Sequence, residues 1–497
     1  MRSRTEELLA WVLLGLLCLN PVRIHAEVDG VVRSIIVSGN KRTQTDVIRR
    51  EVLFEPGDTL TVDLIEETER NLRALLFLGD VRVDVQREGP HADVEIRVAD
   101  LYARAITPIL SGEPDELDYG AIGLDYNFLG KGQIVEVTGE HDAITGNRVR
   151  AFFREPRVNG SRVRLDLDGE VASEGHRAVV RVSRPFFRLS ESWSASVSVL
   201  TQEWVTRLYR GQSLSEKYAT RERGGAVSAS RSFGTEVKVR PSLSATVTDR
   251  SFQAEPGFTY APTSRRRVLP SVGLLVWRPR YEKAQFFGRL GRVEDLQTGS
   301  WASVRVGISS EVVGSDRDYR FLSFEVNPRH KLGPQTYLLS RFSFRGRQSG
   351  GRIWNVFASG QVIILRKIGL THSIAARARY DALGRTEDAT QFLLGSARGL
   401  RGYALRRFDG SRRVLFNLEA RPTLIRRTDF TVAGAVFLDG GAAWTPGDGD
   451  DDIVAAAGGG IRVGMSRVYN LPVLRADVGY GFSDRTWVLY MGLGQYF

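Results

Sequence analysis

The C-terminal third of this chain is built from stretches of roughly ten residues in which apolar and polar side chains alternate, the length of a membrane-crossing strand. In Arg475–Phe482, Ala476, Val478, Tyr480 and Phe482 fall on one face, and Arg475, Asp477, Gly479 and Gly481 on the other. One such strand is compatible with a soluble sandwich. Here the pattern recurs from about residue 101 onward, and its polar face is rich in arginine: Arg148, Arg150 and Arg154, Arg162 and Arg164, Arg377 and Arg379. A dry core does not hold that many guanidinium groups. A wide, wet lumen does, with lipid on the opposite face. The expected fold class is therefore an all-β transmembrane antiparallel β-barrel. The arginines read as lumen-facing charge, partly neutralised by Asp166, Asp168, Glu170 and Asp381.

The remaining composition narrows the compartment. Past the N-terminus no apolar run approaches the roughly 18 residues that a spanning helix needs. Residues 1–26 read as a signal peptide, with Arg2 and Arg4 ahead of the apolar stretch Leu8–Leu19 and a cleavage site at Ile24-His25-Ala26. The single cysteine, Cys18, lies inside that segment, so the expected mature chain has no disulfide and no cysteine–metal site. Export without disulfides suits a Gram-negative outer membrane. The net charge of +11 raises the possibility of nucleic acid. The arginines are spread along strands, with no basic run interleaved with stacking aromatics, so no nucleic-acid partner is expected. Anionic lipid headgroups are the expected partners of loop arginines.

Residues 27–100 have a different texture. Val31–Ser38 reads as a strand closed by a Gly39-Asn40 turn, followed by a short helix to about Phe54. Asp63 with Glu66 has capping-box spacing ahead of a helix carrying Leu64, Ile65, Leu72, Leu75 and Leu76. Two alternating strands, Val81–Arg87 and Asp93–Val98, close a small α+β domain. The segments Ile35–Asn40, Glu55–Asp58 and Leu76–Val83, in this order, resemble a polypeptide-transport-associated (POTRA) domain. Such a domain offers an exposed strand edge, here Val81, Val83 and Val85. An extended client segment adds to it through main-chain hydrogen bonds.

From 101 to 497 the chain reads as strand, turn, strand. Hairpin signals stand at Gly130-Lys-Gly132, Asn159-Gly160, Phe233-Gly234 and Lys331-Leu-Gly333. Longer loops are expected near 208–222, 250–265, 382–411 and 445–453. Short turns alternating with long loops fit an outer-membrane barrel. Counting the pattern gives roughly twenty strand-like segments.

Five further words stand in a fixed order before the C-terminus: Gly399-Leu400-Arg401-Gly402-Tyr403, Asn417-Leu-Glu419-Ala-Arg421, Phe437-Leu-Asp439-Gly440-Gly441, Gly460-Ile-Arg462, and a last strand Trp487–Phe497. They resemble the barrel of the BamA-like POTRA-barrel superfamily, which includes outer-membrane assembly factors and two-partner secretion transporters. The resemblance implies a sixteen-strand barrel, and sixteen is the number expected here, since long, tilted strands broken by glycine can be counted twice. It also implies that the Gly399–Tyr403 loop tucks inside and that Arg401 meets Glu419 and Asp439. Alternation independently turns Glu419 and Asp439 to the same interior, and a guanidinium binds carboxylates through a planar fork. Gly492, Tyr496 and Phe497 are the candidate C-terminal strand signal, although Gln495 and Tyr490 depart from the family's pattern.

No catalytic arrangement emerges. The histidines lack metal-ligand spacing, and there is no nucleophile elbow or phosphate loop. The expectation is a non-enzyme without cofactor or metal, in the bacterial outer membrane with its N-terminal domain in the periplasm. Its partners would be unfolded outer-membrane or secreted polypeptides, lipid and periplasmic accessory proteins. The alternative is a passive, anion-favouring porin-like channel.

Overall fold

The computed structural model describes residues 28–287, 290, 293–449, 452–465 and 473–496. The signal-peptide reading and Phe497 lie outside the described residues.

The N-terminal unit is a four-stranded sheet with two helices. Its strand order is Thr59–Thr61, Val28–Ser38, His91–Asp100, Leu78–Glu88. Val28–Ser38 runs parallel to His91–Asp100 and antiparallel to Thr59–Thr61. Val32, Ile48, Leu60, Leu72, Leu78, Val94 and Ile96 are buried as its core. Three details differ from the sequence reading. The first helix is only Thr45–Arg49. The strand Thr59–Thr61 was not anticipated, because three residues are too few to show a period. The second helix, Val62–Ala74, opens one residue before Asp63, and the Thr61 hydroxyl accepts from the Leu64 N–H at 3.3 Å. Thr61 therefore caps the helix. Asp63 sits in the first turn instead, where a negative charge suits the helix dipole.

The second unit holds a closed antiparallel barrel. Among the described residues it has twenty strands, once Arg329–Gly333 and Thr423–Arg426 are counted as continuations of Tyr319–Asn327 and Arg412–Arg421. This corrects the sixteen that the resemblance implies. Strand number is set by where each ladder starts and stops, and the alternation count followed those ladders more closely than the family likeness did.

Alternation places side chains as expected. Val436 and Leu438 are exposed on the outer face, whereas Phe437 and Asp439 are buried. Lumenal arginines meet acids on adjacent strands: Arg150 forks onto Asp168 at 2.8 and 3.1 Å, and Arg154 donates to Asp166 at 2.6 Å. Residues 208–222 are not a loop. They belong to the long hairpin Trp193–Arg210 and Ser213–Arg231, joined by Gly211-Gln212. Strands of 18 and 19 residues exceed the roughly 9–11 that cross a bilayer. The excess is a polar ribbon whose Arg207, Arg210, Lys217 and Arg221 gave it a loop-like composition.

The ladder is uneven around the wall. Thr486–Leu493 shares eight registered positions with Leu474–Gly481. Arg104–Glu113 shares ten with Glu116–Phe128. Between the last strand and the first, a single pair is registered, Met491 with Gly112. Gly112 has φ +117°, and a Cβ there would stand 2.1 Å from the Glu116 carbonyl oxygen, so the first strand is kinked at its closing point. With that register, the edge of Arg104–Ile109 has no registered partner on the seam side among the described residues.

Candidate functional site

The site is the connection between His372–Gly384 and Arg412–Arg421. It does not stand out into solvent. Phe392–Leu394 pairs with Phe408–Gly410, and a 3₁₀ turn at Ser396–Arg398 leads into Gly399. Gly399 and Gly402 have φ of +117° and +89°, a conformation that side-chain-bearing residues rarely adopt. The loop then lies in a groove of the wall. A Cβ at Gly402 would be 2.9 Å from the Gly481 nitrogen, and one at Gly479 would be 2.7 Å from the Gly402 nitrogen. Glycines on both surfaces are what let the two backbones touch. Leu400 and Tyr403 are buried with Leu394, Leu415 and Ala456.

Arg401 is 1 % exposed. Its Nε and Nη2 form a fork onto Asp439, at 2.7 and 3.0 Å, and its backbone N–H reaches the same carboxylate at 3.1 Å. Its Nη1 pairs with Glu419. The guanidinium is sandwiched between the rings of Phe437, 3.5 Å away, and Tyr496, 4.1 Å away. The structure brings together Arg401, Glu419 and Asp439, the three residues that the resemblance placed in contact.

The surrounding network is larger than that expectation. Glu419 also accepts from Arg421 at 2.7 Å and Arg462 at 3.2 Å. Asp477 accepts from Arg462 at 2.7 Å and Arg475 at 2.9 Å, and lies 3.8 Å from Arg401. Asn417 donates to Asp439 at 2.7 Å and to the Gly399 carbonyl at 2.8 Å. Three carboxylates and four guanidiniums therefore share the cluster, all of them at most 7 % exposed at the side chain. Buried charges of this density are tolerated because each is paired and hydrogen-bonded. Asp477 was visible as a lumenal acid in Arg475–Phe482, but nothing local in the sequence linked it to Arg401.

The loop also bonds both sides of the seam. On the first hairpin, Glu113 accepts from the Ser396 hydroxyl at 2.6 Å and the Leu405 N–H at 2.7 Å. Arg406 forks onto Glu116. On the last hairpin, Arg407 forks onto Asp484 at 2.8 and 3.2 Å. Beyond the last strand, Tyr496 Oη accepts from the Gly399 N–H at 2.9 Å and donates to the Ser396 carbonyl at 2.8 Å. Tyr496 therefore clasps the loop from inside. Gly492 and Tyr490 lie on the lumenal side of Thr486–Leu493, opposite Arg475 and Asp477.

In the N-terminal unit, Leu78–Glu88 is an edge strand of the sheet. The Val83 N–H is bonded to Glu69 of the second helix at 3.3 Å. Val81 and Val85, two residues to either side, present their main-chain groups to the same edge. Among the described residues no group of three or more His, Cys, Asp or Glu is placed to hold a metal ion.

Two family models agree with this architecture. Residues 30–100 match the POTRA family model, described as surface antigen variable number repeat. Residues 127–497 match the Omp85 superfamily domain. Similar solved structures include BamA from Haemophilus ducreyi lacking POTRA domains 1–3, at 14% identity and a TM-score of 0.43, covering 94% of this chain and 85% of that one. CdiB from Escherichia coli matches at 12% identity and a TM-score of 0.48, covering 94% and 77%. No curated protein matches the sequence. With a POTRA domain and a barrel whose family model spans most of its length, this chain is an outer-membrane β-barrel protein that belongs to the Omp85 superfamily.

Proposed function

We propose that this protein handles unfolded polypeptides at the outer membrane, inserting other barrels or passing a chain across. Superfamily members are in general non-enzymatic transporters and assembly factors. The observation that carries the reading is the seam, with one registered pair where the flanking ladders have eight and ten. Main-chain hydrogen bonds are what close a barrel against lipid, so opening costs least where they are fewest. The unpaired edge of Arg104–Ile109 then offers a client strand a template that needs no particular sequence.

Val81, Val83 and Val85 supply a second such edge. A client there displaces Glu69 from the Val83 amide. No nucleotide is supplied outside the inner membrane. The driving force is the client's own burial of apolar surface and satisfaction of its backbone. The tucked loop keeps the seam shut between clients through Glu113, Glu116 and Tyr496.

The test is the outer-membrane proteome after depletion of the protein. Broad loss of other barrels supports general insertion. Loss of one secreted or surface protein supports dedicated transport. An unchanged proteome contradicts both.

A further inference from the structure

The connection between the tenth and eleventh barrel strands, Arg265–Trp277 and Trp301–Ser309, is not a simple turn. It carries its own hairpin, Tyr281–Gln285 against Val293–Gln297, at the end of the barrel where the first strand begins. Phe286, Phe287 and Leu290 at its tip are apolar yet at most 5 % exposed.

What buries them is the lumen wall. Phe287 packs with Tyr337, Leu365 and Ala375, its ring meeting that of Tyr337 edge-on at 5.6 Å. Phe286 and Leu290 pack with Ala433 and Val473. Ala375 alternates with Arg377 and Arg379, and Ala433 with Phe437 and Asp439, so both face the interior. The tip thus crosses from the tenth and eleventh strands to the seventeenth and eighteenth, Phe430–Trp444 and Val454–Met465, of a twenty-strand wall. The wall is shaped to receive it. Ala375, Ala433 and Gly464 are small where the same faces elsewhere carry Arg377, Asp439 and Arg462. A Cβ at Gly464 would stand 2.9 Å from that of Leu290. Polar contacts also fix the hairpin: Arg421 donates to the Phe287 carbonyl at 3.2 Å, Lys331 to Glu282 at 2.7 Å, and Arg329 to the Gln297 carbonyl at 2.8 Å.

The geometry points to a built-in plug: the Tyr281–Gln297 hairpin closes the periplasmic half of the lumen by seating Phe286, Phe287 and Leu290 in the socket formed by Ala375, Ala433 and Gly464. A large barrel with no such element encloses an aqueous channel. Apolar side chains against small wall residues seat this tip, and Arg421 of the cluster around Arg401 adds a bond to its backbone. The plug stands whatever the client is.

The test is conductance of the purified full-length protein in planar bilayers, with folding read from heat-modifiable gel mobility. Replacing residues 283–295 by a four-residue glycine–serine turn should raise steady conductance about tenfold, as expected for an opened water-filled lumen. Gly464→Leu, which fills the space of Leu290, should act in the same direction. In a Cys18→Ala background, the pair Leu290→Cys and Gly464→Cys should cross-link on oxidation and keep the low wild-type conductance. A folded hairpin-replaced barrel that conducts no more than wild type overturns the plug. So does a folded cysteine-pair variant that does not cross-link, which decides the matter even where the other variants fail to fold.

Discussion

The Arg401 guanidinium lies over the Tyr496 ring, its carbon 4.1 Å from the centroid, and the tyrosine hydroxyl bridges Gly399 and Ser396 of the same loop. The end of the chain and the tucked loop therefore hold each other. Tyr496→Phe keeps the ring and loses both hydrogen bonds, leaving the Gly399 N–H unpaired at a cost of about 1–3 kcal/mol. Tyr496→Ala also removes the stacking surface and should cost more. The midpoint of thermal unfolding, read from heat-modifiable mobility, should fall in that order. Equal midpoints for the three proteins would count against the clasp.

Arg401→Ala should leave expression near normal and lower client handling. It strips the fork from Asp439, and the loss of a buried partner costs on the order of 3–5 kcal/mol. Glu419 keeps Arg421 and Arg462, which places the effect towards the lower end. Arg401→Lys keeps the charge but not the planar fork, so it should rescue poorly. Trypsin added to whole cells reads the docking: the variants should become cleavable at Arg398 or Arg406, where wild type resists. Client insertion at the wild-type level by Arg401→Ala would sink the role given to the loop.

Glu113 and Glu116 tie the first hairpin to the loop. The double variant Glu113→Gln and Glu116→Gln weakens both ties without removing the side chains, and should leave the seam open for more of the time. Cysteines at Leu110 and Leu493, opposite one another in the register of Met491 with Gly112, report this directly. Their oxidation yield should drop in the double-Gln background. An unchanged yield would mean that the loop does not hold the seam.

At the N-terminal sheet, Val83→Pro removes an amide that points away from the sheet, a position where an edge strand tolerates proline. Photo-cross-linking of clients to this edge should fall while the domain stays folded. Glu69→Ala frees the same amide and should increase cross-linking. Variants that both behave as wild type would remove Val81, Val83 and Val85 from the proposal.

Much of this was legible in the sequence, for physical reasons. Alternation is local, so the faces of Asn417, Glu419 and Arg421, and of Val436, Phe437 and Asp439, could be assigned strand by strand. The Arg401 contacts came from joining that geometry to a resemblance. What was hidden depended on distance around the wall. Glu113 and Asp484 are ordinary hairpin acids until the barrel closes and brings them beside Arg406 and Arg407. The glycines of the groove, Gly479 and Gly481, gave no sign of what would press against them. The Tyr281–Gln297 hairpin escaped notice because its arms are five residues each and its apolar tip reads as a strand fragment. The ribbon at 208–222 was misread because a strand beyond the membrane is polar on both faces.

On the proposed function, clients pass where Thr486–Leu493 meets Arg104–Glu113. The most direct measurement reconstitutes the Leu110→Cys and Leu493→Cys variant in liposomes, in a Cys18→Ala background, and follows client insertion before and after reduction. The oxidised, locked seam should abolish insertion, and reductant should restore it to the level of the cysteine-free protein. Full insertion through a seam shown to be cross-linked would contradict it.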